Sequence, residues 1–153
     1  MKKILCMLFI AGILFSCKQT KTDSVNNVKS PVDSLIANWQ NVWNNNDSSG
    51  ICNMFAADAI LIETGLLTTN VKDMSEKWVG PSYRLVKNMK TEKLQDWSTT
   101  NRAGYTGKYN LDLVAKDSLI AHLQGVFSVD WMKTNEGDWK ITSANINDFD
   151  YNK

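Results

Sequence analysis

The apolar residues of this chain change period once, and that change limits the folds open to it. Val32, Leu35, Ile36, Trp39, Val42 and Trp43 recur at steps of three and four, which gathers them on one face of a helix. From Gly104 onward the step becomes two. Tyr105, Gly107, Tyr109, Leu111 and Leu113 share one face of a strand, and Leu119, Ala121, Leu123, Gly125, Phe127, Val129 and Trp131 share one face of the next. A helix that buries one stripe, followed by long strands that bury one face, predicts an α+β fold. Its helices should lie on one side of a curved antiparallel sheet.

The punctuation between these segments sharpens the expectation. Ser30-Pro31 reads as an N-cap with proline at the first helical position. Asn44-Asn45-Asn46 should end that helix, and Asp47 can cap a short second one over residues 48–56, with Ile51, Met54 and Phe55 inward. Residues 59–64 read as a strand closed by Gly65. A third helix is expected over residues 72–88, broken or kinked by Gly80-Pro81. Strand character resumes at residues 93–100 around Trp97. The last turn, Asn135-Glu136-Gly137-Asp138, leads into a strand over residues 139–147.

The first residues belong to another function. Lys2 and Lys3 precede a 12-residue apolar run, Ile4 to Phe15, and small Ser16 precedes Cys17. That is the make-up of a secretory signal, and the run is too short for a membrane-spanning helix of about 20 residues. Leu14-Phe15-Ser16-Cys17 resembles the lipobox of bacterial lipoproteins. The resemblance implies a signal peptide at residues 1–16, cleavage before Cys17, and lipidation of the Cys17 thiol, which anchors the chain in a membrane. Polar residues 18–30, without a periodic pattern, read as a flexible tether, and residues 31–153 as one domain. Lys18 after Cys17 is not the aspartate of an inner-membrane retention signal. The expected location is therefore the cell envelope, lipid-anchored at the outer membrane and facing the periplasm.

Removing residues 1–16 from the 153 leaves 137, enough for one sizeable core. Loss of Lys2 and Lys3 takes the 17 basic residues to 15, against 16 acidic ones. A near-neutral chain offers no electrostatic footprint for nucleic acid. Cys6 leaves with the signal and Cys17 is consumed by lipid, so Cys52 has no partner for a disulfide. Its apolar surroundings, Ile51 and Met54-Phe55, read as those of a buried, inert thiol.

Beyond these patterns, the order and spacing of several segments resemble the NTF2-like superfamily, near its SnoaL-like and ketosteroid-isomerase-like branches. Trp39-x-x-x-Trp43 followed by Asn46-Asp47 is similar to the first helix and turn of that family. Met54-Phe55-Ala56-Ala57-Asp58-Ala59-Ile60-Leu61-Ile62 is similar to its entry into the first strand. Gly125-Val126-Phe127-Ser128-Val129-Asp130-Trp131, a turn and Gly137-Asp138-Trp139-Lys140-Ile141 are similar to its last two strands. The resemblance implies a cystatin-like, cone-shaped barrel in which a curved sheet wraps the long helix and leaves a pocket. It implies little about chemistry, because the fold hosts enzymes, binding modules and dimerisation domains.

A pocket enzyme of the isomerase type needs a carboxylate in a dry cavity and a donor for a developing oxyanion. Glu63 alternates onto the face of Leu61 and is the best candidate acid. Asp96, Asp112 and Asp130 are expected to face solvent. Tyr105, Tyr109 and His122 are candidate donors, and His122 is a candidate base if an orienting partner lies within reach. On alternation, His122 belongs to the outer sheet face. No cluster has metal-ligand spacing, and there is no glycine-rich phosphate loop or nucleophile elbow. No cofactor is implied. Of the six tryptophans, Trp43 and Trp97 are set among polar neighbours and are expected to line an open cavity with Tyr105 and Tyr109. The expectation is a membrane-anchored protein that binds a small apolar ligand in that cavity. The alternatives are an acid–base isomerase, cyclase or hydratase working through Glu63 or another pocket acid with a tyrosine or His122, and an interaction module that forms a homodimer.

Overall fold

Proline and a run of asparagines bound the first helix, and apolar spacing decides where it packs. In the computed structural model, which describes residues 30–149, α1 spans Val32–Asn44. It buries Val32, Ile36, Trp39, Val42 and Trp43. The expected signal peptide, Cys17 and residues 18–29 of the tether lie outside the described residues. Pro31, with φ −70°, starts the helix, and its carbonyl accepts from Leu35 N–H at 3.0 Å. Asp47 caps α2 (Ser48–Asn53), its carboxylate accepting from Gly50 N–H at 2.8 Å.

The chain then enters β1 (Phe55–Glu63), turns at Gly65, whose φ of 78° favours glycine, and adds a short β2 (Leu66–Thr68). A helical stretch follows: α3 (Val71–Met74), a π-helical turn (Ser75–Val79) and α4 (Gly80–Ser82). Four strands complete the domain: β3 (Val86–Ser98), β4 (Arg102–Ala115), β5 (Ser118–Lys133) and β6 (Trp139–Asp148).

Three expectations need correction. The helix expected over residues 72–88 runs instead from Val71 to Ser82. Gly80 N–H bonds the Ser75 carbonyl five residues back, and this wider turn absorbs Pro81, which has no N–H to give. Residues from Val86 pair with β4 instead. The sheet, in the order β2-β1-β6-β5-β4-β3, is mixed and not wholly antiparallel, because β1 and β6 run parallel. The long route between those two strands passes through the rest of the domain, so no hairpin dictates their direction. Nor does the sheet close into a barrel. Its edges are the three-residue β2 and the much longer β3, and α1 packs beside β3 where a closing strand would lie.

That helix–strand contact has a polar clamp. β3 bulges between Lys87 and Lys90, where Asn88 takes φ 53°. Within the bulge, Met89 N–H donates to Asn44 Oδ1 at 2.7 Å, and Asn44 Nδ2 donates back to the Met89 carbonyl at 3.0 Å. The side-chain amide thus does what a neighbouring strand's peptide would do. Asn46, at φ 57°, donates to the Tyr83 carbonyl and accepts from Lys87 Nζ. The asparagines that end α1 therefore also fix where β3 begins.

Asn44→Ala removes both bonds to Met89 and should cost about 1–2 kcal/mol, at roughly 1 kcal/mol for each neutral bond. Urea unfolding is the measurement. An unchanged midpoint would show that the clamp does not hold α1 to the sheet.

Candidate functional site

The concave face of the sheet carries the odd-numbered residues of β4 and β5, as the alternation predicts. Between that face and the helices lies a cavity of about 140 Å³. Trp39 and Trp43 of α1, Trp78 of the π turn and Phe127 of β5 supply flat walls, and Met89, Leu111, Leu113, Leu123 and Ile146 supply aliphatic ones. The polar lining consists of Ser82, Glu63, Tyr109 and Asp148. Among the described residues, no lysine, arginine or histidine lines the cavity.

Glu63 ends β1 just before the Gly65 turn, and this position brings a half-buried carboxyl to the cavity wall. Burial raises its pKa above the ordinary 4.5. A hydrogen bond from Trp78 lowers it in part, and the negative charge of Asp148 raises it further. Trp78 can only donate, so its indole N–H faces the carboxylate.

Strand register builds the second polar feature. Tyr109 on β4, Gly125 on β5 and Asp148 on β6 stand directly across from one another. A Cβ added at Gly125 would lie 2.0 Å from the Asn147 carbonyl oxygen and 2.9 Å from the Tyr109 ring. Only glycine fits at this middle position. Its bare backbone lets the Tyr109 ring reach across, and the phenol donates a hydrogen bond to Asp148 Oδ1. A third feature is Trp43, 2 % exposed, whose indole N–H has no hydrogen-bond partner among the described residues.

The sequence candidates separate cleanly. Glu63, Trp43 and Tyr109 are on the cavity wall. Tyr105 is buried beside it, tilted against Phe127 at 5.3 Å and hydrogen-bonded to Thr91, and does not line it. Trp97 also lies elsewhere. It is 45 % exposed and its indole covers Gly104, the residue opposite it on β4. His122 does not line the cavity. It sits opposite Asp112 in the β4–β5 ladder, and its exposed ring places Nδ1 2.5 Å from Asp112 Oδ1. A hydrogen bond from Asn88 and the contact with His122 hold the Asp112 carboxyl below the usual range. Asp96 pairs with Lys93 at 3.4 Å, and exposed Asp130 accepts from Ser143 at 2.9 Å. Cys52 is half-buried and unbridged.

Sequence reasoning passed over Trp39, Trp78 and Asp148. Trp39 and Trp78 are also buried core residues, which conceals their place in the cavity wall. Asp148 could have been found by extending the Tyr109–Gly125 alternation one strand further, had the register been known. Among the described residues, no group of three potential metal ligands comes together, and no helix is long and apolar enough to cross a membrane.

No protein-family model and no curated protein matches the sequence. Solved structures do match the fold. A ketosteroid isomerase-like protein from Erwinia carotovora atroseptica superposes with a TM-score of 0.65 at 11 % identity, covering 78 % of this chain and 94 % of that one. An NTF2-like protein with a cystatin-like fold from Novosphingobium aromaticivorans gives 0.60 at 9 % identity, covering 78 % and 80 %. A protein of unknown function from Mycobacterium tuberculosis gives 0.65 at 17 % identity, covering 77 % and 69 %. The chain has the NTF2-like, cystatin-like fold, with a curved, mixed and open six-stranded sheet.

The raised pKa of Glu63 has a sign that can be measured. Between 4.5 and its raised value the folded state binds more protons than the unfolded state, so stability falls as pH rises through that window. Glu63→Gln keeps an acceptor for Trp78 and has no proton to lose. The melting temperature of Glu63→Gln should therefore gain on the wild type as pH rises above 4.5. Parallel pH profiles would show that Glu63 is not desolvated.

Proposed function

We propose that this chain is a membrane-anchored binding protein whose cavity takes a small, largely apolar ligand. The observation that carries this reading is the lining itself: rigid aromatic and aliphatic walls with a few polar groups gathered among them, the usual form of a small-molecule site. An apolar protein cavity of about 150 Å³ accommodates benzene. The 140 Å³ here suits one ring or a short acyl chain, with any larger part of the ligand projecting from the mouth.

A second reading, an acid–base isomerase, cyclase or hydratase, draws on one observation. Glu63 lines the same cavity with its pKa raised, near a phenol, Tyr109. His122, paired with Asp112 away from the cavity, adds nothing to it. The acid–base reading therefore rests on Glu63 alone.

The anchor is the other half of the proposal. Cys17 would carry the lipid, residues 18–30 would act as the spacer, and the domain would work at the outer membrane facing the periplasm. The support is the residue pattern from Lys2 to Cys17.

Two measurements test the two halves. Toluene should raise the melting temperature by mass action, by up to about 2.7 kcal/mol of stability at a hundredfold excess over Kd. Leu123→Trp, which fills the cavity, should abolish that rise. A rise that persists in Leu123→Trp would place the binding elsewhere. For the anchor, Cys17→Ser should leave an uncleaved precursor lacking acyl mass. Normal processing of that variant would remove the lipoprotein reading.

A further inference from the structure

The cavity's charges all have one sign. Glu63 and Asp148 both line it, close enough for the charge of one to raise the pKa of the other, and among the described residues no basic side chain shares the lining. Elsewhere on the domain, carboxylates near one another have cations beside them: Asp33 and Asp96 share Lys93, and Asp73 and Glu76 have Lys77 and Lys72. The cavity pair is held by neutral donors instead, Trp78 for Glu63 and Tyr109 for Asp148. Each donor occupies one acceptor position, and a carboxylate offers about four. Among the described residues, acceptor capacity is therefore left over on the cavity wall.

The rest of the wall suits the same charge. Trp39, Trp43 and Trp78 meet one another at centroid distances of 5.0 to 6.2 Å and steep to moderate angles, so faces of different orientation border one small space. An aromatic face attracts a cation through its quadrupole, tryptophan most strongly. Carboxylates and indole faces favour the same kind of ligand head group.

The geometry points to a small organic cation as the ligand, an alkyl- or arylalkylammonium with its charge against Glu63 and Asp148 and its apolar part among the tryptophans. This inference rests on the cavity being a binding site and specifies what it selects. The ammonium supplies the countercharge that the described lining residues do not. Its presence favours the ionised form of Glu63, so cation binding and proton release at that residue are coupled.

Three probes of one size separate the possibilities: benzylammonium, neutral benzyl alcohol and anionic benzoate, titrated calorimetrically into the full-length chain in neutral detergent at mildly alkaline pH. Benzylammonium should bind roughly tenfold more tightly than benzyl alcohol, and benzoate most weakly. Glu63→Gln and Asp148→Asn should each reduce the ratio of benzylammonium to benzyl alcohol affinity, and a cooperative thermal unfolding transition reports that each variant is folded. Equal or tighter binding of benzyl alcohol in the wild type would overturn the cation inference and leave the cavity as a neutral apolar site. A cation preference that survives both substitutions would overturn the assignment to these carboxylates. Absence of saturable binding by all three probes would overturn the binding reading itself.

Discussion

Trp39 is the contact around which the domain is organised. From the middle of α1 its ring lies 6.1 Å from Trp43, Phe55 and Phe127 and 6.2 Å from Trp78. Those four partners come from α1, β1, β5 and the π turn, so one side chain joins two strands of the sheet to both helical segments. Each aromatic ring buries on the order of 150–250 Å² and gains further from edge-on or offset contact. The cavity follows from the same choice. Flat, rigid rings lean on one another at fixed angles and cannot spread into the hollow of a curved sheet, as flexible aliphatic chains would. Space therefore remains between Trp39, Trp43 and Trp78 on one side and Leu111, Leu123 and Ile146 on the other.

Backbone openings in the sheet complement those rings. Gly125 lets Tyr109 reach Asp148 two strands away, and Gly104 lies under the indole of Trp97. A side chain at either glycine would collide with its neighbours, so both positions serve close approach and neither is a hinge. The two pairings have different consequences. At the cavity they place a phenol and a carboxylate in the lining, whereas at the far end of β3 they only cover the sheet.

Much of the fold could be read from spacing because helix and strand periods are local properties. The α1 face, the Asp47 cap and the concave face of β4 and β5 all appear where the alternation puts them. What spacing could not give was relational. Nothing local marks β1 as the parallel partner of β6, and a three-residue β2 is below the length at which alternation is detectable. Residues 83–88 looked helical because Pro81 seemed to be the only obstacle. The obstacle that counted was Asn88 at positive φ in a bulge that receives Asn44. The site divided along the same line. Glu63 could be placed on the inner face by its own strand, whereas Trp97 was misplaced because polar neighbours in sequence did not reveal that its own glycine lay opposite. Asp148 was invisible without the β5–β6 register.

Glu63 gives the proposed binding role of the cavity its strongest support. Holding a carboxyl half-buried, with a second carboxylate raising its pKa, opposes folding at neutral pH. Structure alone does not require it. Among the described residues, the hydrogen bond that lowers its pKa comes from Trp78, and a glutamine or a threonine could accept that bond without charge. A leucine there would extend the apolar wall. Strained electrostatics concentrate where a site must act on something other than the protein. Asp112 is the useful contrast: its carboxyl is held by Asn88 and paired with His122, its pKa is lowered, and its charge is answered within the fold. Glu63 has no such answer among the described residues that line the cavity. Under the proposed cation-binding role, the ligand would supply what balances it.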